Sequence, residues 1–100
     1  MKIKKITPIC IHVPFEHGGK KAKFHGQDWQ KLEFVLIKVE TDSGIIGWGE
    51  SFGYVSWKSV KTSIEEMVAP SVIGKEINSK EDIINLVYDV QKTLHIFGRY

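Results

Sequence analysis

The sequence predicts an α+β domain, a three-stranded antiparallel meander followed by helices packed on one face. Three observations carry this expectation. The apolar period is two residues in the first half of the chain and becomes helical after Ser56. A single hairpin signal, "DSG" at Asp42–Gly44, separates two runs of strand character. The chain of 100 residues holds one domain, residues 1–100. Such a chain buries a modest core, roughly 60–65% of its unfolded surface.

Each element follows from its own pattern. Ile9, Ile11 and Val13 alternate with Cys10 and His12, which gives a first strand from Ile3 to Val13. Pro8 has no N–H to donate, so that strand lies at an edge or bulges there. "EFVLIKVET", Glu33 to Thr41, is the second strand. Val35, Ile37 and Val39 form one face; Phe34 and Leu36 begin the other, which turns polar at Lys38 and Glu40. Gly44 sits where the turn wants a left-handed residue, and "IIGWGES" returns antiparallel. Trp57, Val60, Ile64, Met67 and Val68 then share one face of a helix that is expected to stop before Pro70. A second helix starts at Ser79 with Asp82 as its capping partner. Ile83, Val87, Val90 and Leu94 are expected on its buried side.

Composition narrows the function classes. Hydrophobic residues are 42% and charged residues 26%, the proportions of an ordinary globular domain. A net charge of +2 argues for neither nucleic acid nor an anionic membrane. No apolar run approaches the roughly 20 residues that span a bilayer. "MKIKKITPIC" has lysines but no apolar stretch of a signal peptide, so a cytoplasmic location is expected. The single Cys10 has no internal disulfide partner.

One segment fits no period. "EHGGKKAKFHGQDWQK", Glu16 to Lys31, joins the first two strands and is long for so small a domain. It reads either as a solvated connection or as a lid in which Phe24, His25 and Trp29 supply contacts. Its lysines interleave with aromatics, as in anion or nucleic-acid binders, but Glu16 and Asp28 dilute the patch.

The usual chemical constellations are incomplete. Gly47, Gly49 and Gly53 approach a dinucleotide fingerprint, but Phe52 stands where the third glycine belongs and no βαβ unit follows. Cys10, His12, His17 and His25 lack the paired spacing of a zinc site. A Cys–His nucleophile and a paired-carboxylate site have no better support, and His95 reads as a cation at a helix C-terminus. The residues alone give no catalytic and no metal-ligating set.

"KVETDSGIIGWGES", Lys38 to Ser51, and "MVAPSVIGKEI", Met67 to Ile77, resemble the N-terminal capping domain of the enolase superfamily. The resemblance is to the mandelate racemase/muconate lactonizing enzyme group, and it runs on through a helix to "FGRY". It implies a following modified TIM barrel, absent from this chain. There a magnesium ion on three acidic residues and a lysine or histidine base remove a proton alpha to a carboxylate. No cofactor is expected in this chain itself. The implied partners are the barrel, a small acid-sugar or other carboxylate substrate, and further copies in a homo-oligomer, without nucleic acid or membrane. Dehydration of an acid sugar is the expected reaction, with racemisation or cycloisomerisation as alternatives.

The resemblance also gives a role to the glycines in "GIIGWGES". Gly47 and Gly49 share one strand face and leave a flat strip that another backbone can approach, from a helix of the domain or from the barrel rim. Trp48 is expected to fill the core on the other face, and Glu50 to make a structural ion pair or loop hydrogen bond. The loop "SFGYVS", Ser51 to Ser56, is expected over the barrel mouth beside the long loop, with Phe52 and Tyr54 touching substrate. The reading from another class is a free-standing α+β interaction module that binds an anionic partner through the basic loop 16–31.

Overall fold

The computed structural model describes residues 1–16, 23–24, 27–28, 30–53 and 56–96, apart from the side chains of 23, 24, 27, 28 and 96. Three strands form the main sheet in the order β1-β4-β5: β1 (Ile3–Pro14), β4 (Lys31–Thr41) and β5 (Ile46–Phe52). All neighbours are antiparallel. Between β1 and β4 the long connection holds a small hairpin of β2 (Lys23–Phe24) and β3 (Gln27–Asp28), which the aperiodic sequence did not signal.

Strand β1 is an edge strand, and this is why Pro8 is tolerated in it. Pro8 stays in register opposite Ile37; the one register shift falls between Ile3 and Lys5 instead. The turn after β4 spans four residues rather than three. Gly44 has φ +86°, as its position demands, and the Thr41 amide donates to the Ile45 carbonyl at 3.0 Å.

Helix α1 (Trp57–Ser63) runs through a π-helical segment (Ile64–Val68) into α2 (Ala69–Val72). The helix therefore does not stop before Pro70. In a regular helix the proline ring would strike the carbonyl four residues back. Here the Ala69 amide bonds to Ile64 O, five residues back, and this wider turn makes room for the ring. The helix ends two residues later, with Gly74 at φ +86°. Helix α3 (Lys80–Ile96) starts as expected: the Asp82 amide donates to Ser79 Oγ at 3.2 Å. The Asp82 carboxylate reaches past the cap to the Asn78 amide at 2.9 Å.

Directly opposed residues of an antiparallel pair point to the same face. The register therefore puts Ile6, Pro8, Cys10 and His12 with Val35, Ile37 and Val39, and with Gly47, Gly49 and Ser51. This is the face that α1 covers, over β1 and β4. Val35 is completely buried there. A second cluster of Ile3, Val72 and Ile77 joins the sheet to the helices, with Ile6, Val39, Leu86 and Val90 packed against it.

The buried side of α3 is the expected one in part: Val90 packs against the core and Leu94 is half-buried. Leu86 and Val90 face the core, whereas Ile83 and Val87 are 47% and 49% exposed. Apolar residues surround this helix, so period alone did not select the stripe that packs. Among the described residues, no helix is long and apolar enough to cross a membrane.

Candidate functional site

The two loops singled out from sequence leave the sheet at the same end. Pro14 pairs with Lys31, and the Phe15 amide donates to Gln30 O at 2.9 Å, which closes the base of the long loop. Phe34 pairs with Phe52, so β5 delivers its last residue to that same end. His25, Trp29 and Tyr54 lie outside the described residues, as does the side chain of Phe24. Of the five expected contact residues, Phe52 is described; it is 44% exposed at the sheet end.

The junction between β5 and α1 is tightly built. A Cβ placed on Gly53 would lie 2.7 Å from the Trp57 Cα, so β5 and α1 meet here through bare backbone. The Ser56 amide and hydroxyl both donate to Gly53 O at 2.9 Å and turn the chain into α1. Gly53, Ser56 and Trp57 are thus held against one another.

Beside this corner sits a polar group that sequence reading missed. The Trp57 ring meets His12 edge-on, with centroids 5.3 Å apart, and Lys58 Nζ lies 5.5 Å over the Trp57 ring. His12 Nε2 shares a hydrogen bond with Cys10 Sγ at 3.3 Å, and His12 Nδ1 lies 3.7 Å from Glu33 Oε1. Lys31 Nζ pairs with the same carboxylate oxygen at 3.3 Å. Burial and then the Glu33 charge push the Cys10 thiol above its ordinary value, against smaller opposing effects of Lys61 and Lys31. A neutral thiol is a weak nucleophile. The group therefore ties β1, β4 and α1 together beside the loops rather than supplying an attacking atom. Its signal in the sequence was the loop closure: counting back two from Pro14 and on two from Lys31 sets His12 against Glu33.

The glycine strip is corrected in part. A Cβ on Gly47 or on Gly49 would meet nothing within 4 Å, so no helix among the described residues approaches them. Helix α1 lies over β1 and β4. Trp48 does not fill the core; it is 58% exposed on the opposite face, where Lys38 Nζ sits 5.8 Å from its ring. Glu50 makes no ion pair among the described residues, because its β4 partner across the sheet is Leu36. A groove of about 290 Å³ between Ser71–Glu76 and the Leu86–Val90 side of α3 lies at the far end of the molecule from the loops.

Whether magnesium fits these residues can be read from the donors. Among the described residues, no three His, Cys, Asp or Glu side chains converge. The hard oxygen cage that magnesium needs is not provided by them.

The family model for the mandelate racemase / muconate lactonizing enzyme N-terminal domain matches residues 15–95. The chain is 29% identical over 99 residues to an L-Ala-D/L-Glu epimerase of Bacillus subtilis, covering 94% of this chain and 25% of that protein. It is 40% identical over 55 residues to a D-mannonate dehydratase of Novosphingobium aromaticivorans, covering 55% of this chain and 14% of that protein. The solved structure of an enolase-superfamily member from Polaromonas sp. superposes with a TM-score of 0.71 at 26% identity, covering 92% of this chain and 23% of that one. The chain thus spans about a quarter or less of the length of these relatives.

Proposed function

Because this chain belongs to the mandelate racemase / muconate lactonizing enzyme N-terminal domain family, we propose that it caps the active site of a longer enzyme and shapes its substrate specificity. The observation that carries this reading is the shared end of the sheet. The long loop closes at Phe15–Gln30 and the short loop leaves β5 at Phe52, where the rigid Gly53–Trp57 corner holds it. Loops on such a platform exclude water and bind remote parts of a substrate. On this reading Phe24, His25, Trp29, Phe52 and Tyr54 are the contact residues.

On this reading the chemistry belongs to the barrel domain of the longer enzyme. Magnesium held by acidic residues of that barrel would stabilise the enediolate formed when a proton leaves the carbon alpha to a carboxylate. This chain's residues contribute binding and closure. The dehydratase relative supports acid-sugar dehydration as the reaction; the epimerase relative, matched over nearly the whole chain, supports proton transfer without loss of water. The partners are the parent's own barrel, a small carboxylate substrate and, in a homo-oligomer, further copies.

Steady-state kinetics of the full-length enzyme on a panel of acid sugars and dipeptides test this. Phe52→Ala and Trp29→Ala should raise KM or change substrate preference, while solvent exchange of the alpha proton persists. If every kcat/KM in the panel stays unchanged, these loops are connections and the capping role is wrong.

A further inference from the structure

The main sheet ends in two edge strands, and they are built differently. Strand β1 carries Lys4, Lys5, Pro8 and the register shift between Ile3 and Lys5. Lysines, proline and bulges are the devices that stop an edge from pairing with another chain. Strand β5 holds no lysine and no proline and keeps unbroken register with β4; its single charge is Glu50. It stands last in the sheet order, hydrogen-bonded to β4 on one side. Thr41 N donates to Ile45 O at 3.0 Å, so Thr41 and Ile45 form a hydrogen-bonded pair. Such pairs alternate along antiparallel strands. Gly47, Gly49 and Ser51 therefore spend their N–H and C=O groups on β4, opposite Val39, Ile37 and Val35. Ile46, Trp48 and Glu50 turn theirs to the outer edge, beside the open space at Gly47 and Gly49.

We propose that this edge pairs with β5 of a second copy, antiparallel about a twofold axis at Gly49, so that the two main sheets join into one. The proposal names the surface behind the homo-oligomer read above, and rests on that part of the reading rather than on the capping role. Self-complementarity picks the occupant. With Gly49 opposite the partner's Gly49, Trp48 and the partner's Glu50 exchange both backbone hydrogen bonds, and so do Glu50 and the partner's Trp48. The glycine pair falls at a non-hydrogen-bonded position, where Cα atoms approach to about 4.5 Å and side chains come closest; neither copy brings one there. Charge selects the same register. Lys38 lies opposite Trp48 on β4, with Nζ 5.8 Å from the Trp48 ring centroid and 3.7 Å from Glu40 Oε1. The partner's Glu50 arrives on the other side of Trp48, two strand spacings or about 9.6 Å from Lys38, within reach of two long side chains. An axis at Glu50 would set two carboxylates face to face. An axis at Trp48 would put the partner's Glu50 in one row with Ile46 and Glu40.

The test uses the full-length protein in sedimentation equilibrium. Glu50→Pro removes an N–H that points outward and none of the β4 ladder, so it should weaken self-association by about tenfold or more. Lys38→Glu and Glu50→Lys should each weaken it, and the two together should recover most of the loss. These charge changes keep the test sharp if the proline variant does not fold. Gly49→Cys in a Cys10→Ser background should give a covalent dimer under mild oxidation, because the paired Cα atoms lie within disulfide range. A protein that is monomeric at every concentration overturns both this proposal and the homo-oligomer reading. An oligomer whose mass none of these substitutions changes, and whose Gly49→Cys form does not cross-link, overturns this surface alone. The capping role stands or falls separately, on the kinetics above.

Discussion

The two faces of the sheet are built from similar residues and meet different fates. On one face Val35 is fully buried, with Ile6, Ile37 and Val39 half-buried around it under the helices. On the other face Ile9, Val13, Ile46, Trp48 and Phe52 are between 36% and 58% exposed. The difference teaches that apolar alternation marks what a strand can bury, whereas the rest of the assembly decides which face is buried. A capping domain needs one face for its own helices and surface left over for a larger body.

The contrast between covered and open surface is sharpest at three glycines. Gly53 lies against the backbone of Trp57, and Gly47 and Gly49 lie beneath open space. Gly53→Ala should destabilise the chain by about 3 kcal/mol, the upper end of the overpacking range, because the opposing atoms are backbone and have little room to yield. Gly49→Ala should be neutral or raise stability by up to about 0.5 kcal/mol through a stiffer unfolded chain. Thermal melts of both variants decide the matter. If Gly49→Ala costs as much as Gly53→Ala, something in this chain does approach the strip.

The next contrast sets Val35 against Trp48. Val35→Ala removes two carbons from a site with no exposure and should cost about 2 kcal/mol. Trp48→Ala removes far more apolar atoms but loses mainly the exposed contact with Lys38, so it should stay within about 0.5–1 kcal/mol in this chain. In the full-length parent the same Trp48 substitution should grow to about 3 kcal/mol if the open face is covered there. Denaturant melts of both lengths measure this, and equal small costs in chain and parent would show that the face stays wet.

Most of the fold was legible because its signals are local. Alternation set the strands, Gly44 the turn, and Ser79 with Asp82 the start of α3. What failed depends on contacts distant in sequence. Pro70 looked like a stop because the π-turn that shelters it has no sequence mark. Ile83 and Val87 looked buried because α3 is apolar on several sides, and only the position of Val72 and Ile77 selects Leu86 and Val90. Trp48 looked like core because a strand's two apolar faces are equivalent until a helix covers one. Of the candidate site, the placing of the two loops side by side came from the family resemblance; the register adds that both leave the sheet at one end. The His12–Glu33–Trp57 group was not legible, since it needs the register across a long loop.

The smallest expected effect lies on the covered face, at Cys10, and it carries a sign. Burial and Glu33 disfavour the thiolate, so the folded pKa is raised above that of the unfolded chain. The unfolded thiol ionises near 8.5. Below that value both states hold the proton and the full contribution to stability is present. As pH rises above it, the unfolded chain sheds the proton first and gains relative to the fold. Stability should therefore decline through the window from about 8.5 up to the raised folded value, by an amount set by this one group. Cys10→Ser should flatten that part of the decline while leaving the profile near neutral pH unchanged. The comparison is between the two chains at each pH. A direct reading comes from iodoacetamide, whose rate follows the thiolate. In the folded chain its midpoint should sit above that of the urea-unfolded chain. A folded midpoint at or below the unfolded one would mean that Lys61 and Lys31 outweigh burial and Glu33, and that Cys10 is an activated thiol rather than a strut of the covered face.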